Sequence, residues 1–325
     1  MYLPLEILKD LYALELTSVK KVDGGYLSEN YELTNGLARY FLKKHRSTEQ
    51  KEVAEVLETE RFFAKEGIPV ILPIQNRNDY FFEYQNGYYS LYPFVQGNAL
   101  RRGKLSETAS VSLGKTLAEI HLRGKESKLA ISRHFKAWDT DSFLSKAARI
   151  EQEVLKENPI SEFGHLILQS LKQKKEEVLQ NTISFEELGL ANDHLIHGDY
   201  FCDNVFFDTN DHINYVFDFE KVQYAPPGYE LFRSLFVSFL SVPTEQNLKN
   251  AKKYIESYRS VYNLPEEVLK KSLFAAYVRQ IHSLWIEEEH YLLNNHRPDA
   301  LLPTQMALNK FYLSDREAID TYLLS

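Results

Sequence analysis

Three side chains in the second half of the chain have the types and spacing that phosphate chemistry requires. The stretch Ile196-His197-Gly198-Asp199-Tyr200-Phe201-Cys202-Asp203-Asn204 runs into a hydrophobic segment and is followed by Tyr215-Val216-Phe217-Asp218-Phe219-Glu220. Asp199 and Asn204 stand in a D-x-x-x-x-N spacing. The turn-forming residues Asp208-Thr209-Asn210-Asp211 predict a hairpin that sets Asn204 beside Asp218. A carboxylate and a carboxamide oxygen suit Mg²⁺, a hard cation that takes few protein ligands and keeps several waters. Asp199 is then free to accept the proton of an attacking hydroxyl. A metal clamp and a positioned base are the parts that phosphoryl transfer asks of a protein.

Other chemistries lack their residues. The chain has no G-x-x-x-x-G-K-[ST], G-x-G-x-x-G, H-E-x-x-H or G-x-S-x-G motif. His194 and His197 form an H-x-x-H pair with no third ligand in view, and read as one solvent and one structural histidine. Cys202, the single cysteine, excludes an internal disulfide and a cysteine zinc site, and fits a reducing cytoplasm. Thirty-eight Lys plus Arg against 46 Asp plus Glu give a net charge of −8, which argues against nucleic acid as a partner. The longest apolar stretch, residues 231–242, is interrupted by Arg233 and is too short to span a bilayer, so no membrane partner is expected.

Elements must hold these residues in place. Residues 18–22 predict a strand, a strand restarts at 31–33, and Asn35-Gly36 supplies a two-residue hairpin turn before a β-rich run at 37–44. Residues 49–66 are helical, with Val53, Val56, Leu57 and Ala64 on one side and Gly67 as the stop. Strands at 80–84 and 88–95 flank Asn86-Gly87. Ser106 then caps a helix running to about His121, and helices dominate from there. One short β-like insert falls between 195 and 219, and a single amphipathic helix is expected from near Pro265 to Tyr291. The chain reads as α+β: a small N-terminal antiparallel β lobe with one helix, residues 1–96, and a larger, mainly helical lobe, residues 97–325.

The pattern H-G-D-x-x-x-x-N, a hydrophobic strand and D-F-E resembles the aminoglycoside phosphotransferase, choline kinase and homoserine kinase-like superfamily. Gly24-Gly25, Ser28-Glu29-Asn30-Tyr31, residues 68–74 and residues 197–207 are most similar to its homoserine kinase-type branch and to related bacterial kinases of broad substrate range. The resemblance runs roughly from Val19 to Leu235 and implies a protein-kinase-like fold and ATP as the phosphate donor. It implies that Lys43 pairs with the α- and β-phosphates, while Phe41, on the same sheet face, lies near the adenine. A glutamate of the following helix would orient Lys43: Glu55 is the first choice, with Glu52 and Glu58 left open. Residues 23–30, with Gly24, Gly25, Ser28 and Asn30, would cover the phosphates. The Pro93 carbonyl and the Val95 N–H would hold adenine between the lobes. His121 and His197 would support the catalytic loop. One departure concerns Gly228-Tyr229-Glu230-Leu231, which stands where these enzymes carry an aspartate-leucine pair; Glu230 would have to anchor the loop with a longer side chain.

Acceptor contacts are expected from the helical lobe, with Asp199 and Glu220 beside them. His282, Trp285 and Glu289 share a helical face with Arg279 nearby, and Glu287-Glu288-Glu289 would draw an amino sugar or choline-like alcohol. A homoserine-like acceptor would instead need an arginine for its carboxylate, from Arg279, Arg233, Arg101 or Arg102. The reading is an ATP- and Mg²⁺-dependent phosphotransferase acting on a small-molecule hydroxyl. A protein Ser/Thr kinase of the same fold and a non-catalytic kinase-fold binding protein are the alternatives.

Overall fold

The computed structural model describes residues 5–22 and 30–325, and alternation along its strands decides which side chains meet which helix. Five antiparallel strands, β1 (Ser18–Val22), β2 (Asn30–Thr34), β3 (Arg39–Lys44), β4 (Phe82–Tyr84) and β5 (Gly87–Pro93), form one sheet in the order β1-β2-β3-β5-β4. Leu33, Leu42, Leu91, Phe82 and Tyr89 pack on one face against Leu8 of α1 (Leu5–Tyr12). Tyr92, with Phe41 beside it, packs on the other against Val53 and Leu57 of α2 (Gln50–Lys65). Among the described residues the lobe therefore carries two helices where the sequence suggested one. At eight residues α1 is too short to hold itself in water, and its fully buried Leu8 shows that docking forms it.

Both hairpins turn differently from the reading of their Asn-Gly pairs. Thr34 pairs with Arg39, so the first loop has four residues, closed by Asn35 Oδ1 accepting from Ala38 N at 2.8 Å. In the second, Tyr84 pairs with Gly87, and the two-residue turn is Gln85-Asn86, both at positive φ (46° and 57°).

The larger lobe is mainly helical. It comprises α3 (Glu107–Lys125), α4 (Thr140–Val154), α5 (Glu162–Gln180), α6 (Phe185–Leu188), the short strands β6 (His194–Ile196), β7 (Val205–Phe207), β8 (Ile213–Val216) and β9 (Gln223–Ala225), and then α7 (Pro227–Leu235), α8 (Glu245–Val261), α9 (Glu266–Ile281), α10 (Trp285–Leu293), α11 (Leu302–Ser314) and α12 (Arg316–Leu324). Ser106 caps α3 as expected, its hydroxyl accepting from Ala109 N at 3.1 Å. The β insert is two ribbons, β6 with β9 and β7 with β8. The helix expected from 265 to 291 is broken between Ile281 and Trp285. Its cause is tertiary: the buried Lys174 Nζ takes the Ser283 carbonyl at 2.7 Å and pairs with Glu287 at 2.6 Å, drawing that carbonyl out of the helical ladder.

Backbone bonds stitch the small lobe and the chain just after it to the β7–β8 ribbon at two places. Val216 N donates to Pro69 O at 2.8 Å, and Asn98 exchanges two bonds with Phe207 at 2.8 and 3.0 Å. No helix among the described residues is long and apolar enough to cross a membrane.

Candidate active site

The β7–β8 pairing of Val205 with Val216 brings the residue before β7 alongside those that follow β8. Phe217 N donates to Asn204 O at 3.1 Å, which sets Asn204 next to Asp218 as the hairpin argument expected. Asp218 holds a left-handed backbone (φ 70°), an uncommon state for a residue with a side chain and one that surrounding contacts must maintain. The Asn204 amide donates through Nδ2 to Asp199 O at 2.8 Å, so its Oδ1 is the atom left to face outward. Asn204 Oδ1 and the Asp218 carboxylate are hard oxygen donors on adjoining backbone, a donor set that fits a Mg²⁺ ion with waters and phosphate oxygens completing its shell.

Asp199 sits in a loop whose path is set by three interactions. Gly198 has φ +84°, and a Cβ there would lie 1.8 Å from the Lys221 carbonyl oxygen, so the H-G-D turn tolerates no side chain. His197 accepts from Asp199 N through Nδ1 at 3.2 Å and donates through Nε2 to Phe217 O at 3.0 Å, tying the loop to β8's exit. Burial lowers the His197 pKa, which keeps the ring in the neutral form these two bonds require. Glu230 does the rest. Its carboxylate accepts from His197 N at 3.1 Å, Gly198 N at 2.5 Å and Tyr200 N at 3.4 Å, and from His121 Nε2 at 3.0 Å. The longer glutamate thus reaches the loop from α7, and fully buried His121, held by Tyr258 Oη at 2.8 Å, orients it.

The Asp199 carboxylate is bracketed by cations: Arg233 Nη2 at 2.5 Å from Oδ1 and Lys221 Nζ at 3.0 Å from Oδ2. Burial alone would raise its pKa; Arg233 and then Lys221 overcome this and hold it well below the usual carboxylate range. Phe201 carries Arg233 on its ring at 5.6 Å and Arg102 at 5.3 Å, and Arg102 also pairs with Asp203 at 2.7 Å.

Lys43, 7% exposed, reaches this group from the sheet: its Nζ lies 2.8 Å from Asp218 Oδ1 and 3.1 Å from Glu220 Oε1. Burial would lower its pKa, but Asp218 and Glu220 more than reverse that, so the ammonium is held firmly charged. Glu220 does not stand apart as an acceptor contact. Its carboxylate belongs to Lys43 and to His45 Nδ1 at 2.7 Å.

Glu55 does not meet Lys43. Its Oε2 accepts from Ser132 N at 2.9 Å and Ser132 Oγ at 2.7 Å, while Glu52 pairs with Arg133 at 3.2 Å and Glu58 is exposed. The α2 glutamate that couples electrostatically to Lys43 is Glu60, buried and hydrogen-bonded by Tyr92 Oη at 3.0 Å. Burial pushes Glu60 up to about 8, against the pull of Lys43. From 55 to 60 is about 140° around a helix, so α2's rotation against the sheet selects between them.

Phe41 shares Lys43's sheet face and packs beside Tyr92. Asn30 stands opposite Lys43 on β2, its Oδ1 buried and without a partner among the described residues. Gly24, Gly25 and Ser28 lie outside the described residues. Pro93 is exposed at the end of β5 and Val95 is half-buried between the two stitching points.

The residues assigned to the acceptor on α9 and α10 are otherwise committed. His282 is buried, bonded through Nδ1 to Val278 O at 2.8 Å and packed on Phe143 and Trp138, with Arg279 nearby. The helix break removes it from the continuous face with Trp285 and Glu289, and Glu289 accepts from Asn295 Nδ2 at 2.6 Å. Glu287 and Glu288 pair with Lys174 and Lys146 and so form no acidic lure. His194 is buried on Tyr262 Oη at 2.7 Å, so both histidines of the H-x-x-H pair are structural. Burial pushes the Cys202 thiol up, as an inert filler requires.

Solved structures of similar fold include the amicoumacin kinase hAmiN in complex with AMP-PNP, Ca²⁺ and Ami (TM-score 0.68, 17% identity, 95% of this chain and 94% of that one). Another is the microcompartment-associated aminopropanol kinase (TM-score 0.66, 17% identity, 98% of each chain). A third is an aminoglycoside phosphotransferase from Alicyclobacillus acidocaldarius (TM-score 0.63, 14% identity, 99% and 95%). No curated protein sequence matches. At such identities the likeness speaks for a protein-kinase-like fold. The model of the phosphotransferase enzyme family, however, matches the sequence itself over residues 18–264. Since that span carries both the sheet with Lys43 and the loop with Asp199, the chain belongs to the phosphotransferase enzyme family and is a kinase.

Proposed function

We propose that the chain transfers the γ-phosphate of ATP to the hydroxyl of a small molecule that also carries an acidic group, a homoserine-like hydroxy acid being the type. The observation that carries the reading is the convergence of Lys43, Asp218, Asn204 and Asp199 from two lobes onto one cluster. Asn204 and Asp218 would hold Mg²⁺, which when bound supplies neutralising charge to the phosphates. Lys43 would exchange part of its pairing with Asp218 and Glu220 for the α- and β-phosphates. Asp199 would orient the acceptor hydroxyl toward phosphorus; as the new P–O bond forms and the bond to ADP breaks, the hydroxyl proton passes to its carboxylate.

The acidic acceptor is supported by the cations around Asp199. Arg233 and Lys221 both touch its carboxylate, and a purely cationic alcohol beside it would meet two like charges. The names of structural neighbours range from aminopropanol and ethanolamine to aminoglycosides, and do not choose among acceptors.

ADP release with Mg-ATP should be measured against hydroxy acids, amino alcohols and amino sugars, with Asp218→Ala in parallel. Turnover confined to hydroxy acids and abolished in the variant is the expected result. Turnover of amino sugars alone would overturn the acceptor class, and unchanged turnover in Asp218→Ala would overturn the metal assignment.

A further inference from the structure

Two histidines and an aspartate outside the kinase cluster converge at the end of α10, in the stretch His290-Tyr291-Leu292-Leu293-Asn294-Asn295-His296-Arg297-Pro298-Asp299. We propose that His290, His296 and Asp299 form a second metal site, for a borderline divalent ion of the zinc type.

Geometry carries the proposal. His290 Nδ1 lies 3.0 Å from His296 Nδ1 and 2.9 Å from Asp299 Oδ2, and His296 Nδ1 lies 3.5 Å from the same oxygen. A tetrahedral ion with bonds of about 2.0–2.1 Å needs ligand atoms about 3.3–3.4 Å apart, and the three edges straddle that value. Two nitrogens and one oxygen leave a fourth position for water.

The proton count points the same way. His296 Nε2 lies 3.2 Å from Asn294 Oδ1, an acceptor only, and in the tautomer that places the proton on Nε2 the Nδ1 atom presents a lone pair to His290. Asp299 Oδ2 is an acceptor as well. In that tautomer a single hydrogen on His290 Nδ1 lies among the three atoms, and a divalent ion in its place would satisfy each lone pair while that proton moves to Nε2. Asp299 Oδ1 is buried without a partner among the described residues. That unpaired carboxylate oxygen costs free energy unless a cation neutralises the group.

The surroundings hold the ligands in place. Phe163 packs on His290 with ring centroids 4.4 Å apart, and Asn294 takes a left-handed conformation (φ 52°) that turns the chain back so His296 returns over His290. The chain links α10 to the turn before α11, so a bound ion would act as a staple between them. Mg²⁺ is a poor occupant, because imidazole nitrogens favour softer ions.

The test uses the full, untagged chain stripped of metal, with millimolar Mg²⁺ present to occupy the kinase site. Titration with Co²⁺ followed by visible absorption, then displacement by Zn²⁺, should show one tetrahedral site per chain, and Zn²⁺ should raise the melting temperature by a few degrees. His296→Ala removes an exposed ligand and should abolish the Co²⁺ spectrum while leaving kinase turnover unchanged. Asn294→Gly keeps the left-handed backbone, removes the carbonyl that orients His296, and should weaken Zn²⁺ by roughly 10–100-fold. No stoichiometric Zn²⁺ binding over Mg²⁺, or binding unaltered in His296→Ala, would overturn the site.

Discussion

Arg233 Nη2 lies 2.5 Å from Asp199 Oδ1, so the carboxylate at the head of the D-x-x-x-x-N loop is ion-paired from α7 before any acceptor arrives. The pair ties the electrostatics of Asp199 to the same helix whose Glu230 fixes its backbone.

Asp199→Asn keeps the shape of the side chain but removes the proton acceptor, together with one of the two oxygens that accept from Arg233 and Lys221. We expect kcat to fall by roughly 10²–10⁴-fold, the range for a general base, with ATP affinity retained. Binding and turnover measured on one preparation separate this from a merely structural role, in which both would fail together.

Arg233→Met removes the first of the two cations holding Asp199 below the usual carboxylate range. Loss of an opposite charge raises a carboxylate's pKa, so the acid limb of the kcat/KM profile should move up by about one pH unit or more. An acid limb that stays in place would show that Asp199 does not govern it.

Glu230→Gln leaves the loop N–H groups and His121 facing a neutral amide. Burial alone would raise the Glu230 pKa, but His121 and the nearby His197 and Arg233 lower it. Its contribution to stability is therefore present above the ordinary glutamate value of 4.5 and is lost as pH falls through the lowered native value. Urea unfolding at neutral pH should show a loss of about 2–3 kcal/mol for the variant, narrowing at acid pH. A deficit independent of pH would assign the effect to packing.

Glu60→Gln reports on the opposite shift. With Glu60 raised to about 8, the native protein holds a proton that the unfolded chain has released, so wild-type stability falls as pH rises from about 5 to 8 through this group. The neutral variant lacks that loss. Its melting temperature should gain on the wild type across this range; parallel curves would mean Glu60 titrates normally.

Local order was legible from the residues themselves. The D-x-x-x-x-N spacing, the turn at 208–211 and the strand alternation around Lys43 depend on neighbours a few positions away, and they define the loop, the β7–β8 ribbon and the face Lys43 occupies. The possibility that Glu230 replaces the usual aspartate was also readable, because its position after β9 follows from chain order. What tertiary structure decided was every choice among chemically equal candidates. Glu52, Glu55, Glu58 and Glu60 differ only in how α2 is rotated against the sheet, and that rotation depends on packing between Val53, Leu57 and Tyr92 from distant segments. Lys174, about a hundred residues before Ser283, broke a helix that periodicity alone would continue. Arg233 reached Asp199, and His296 folded back on His290, through bends set by long-range contacts and by one left-handed asparagine. Periodicity specifies which face a side chain takes on its own element; only docking of the elements specifies what that face meets.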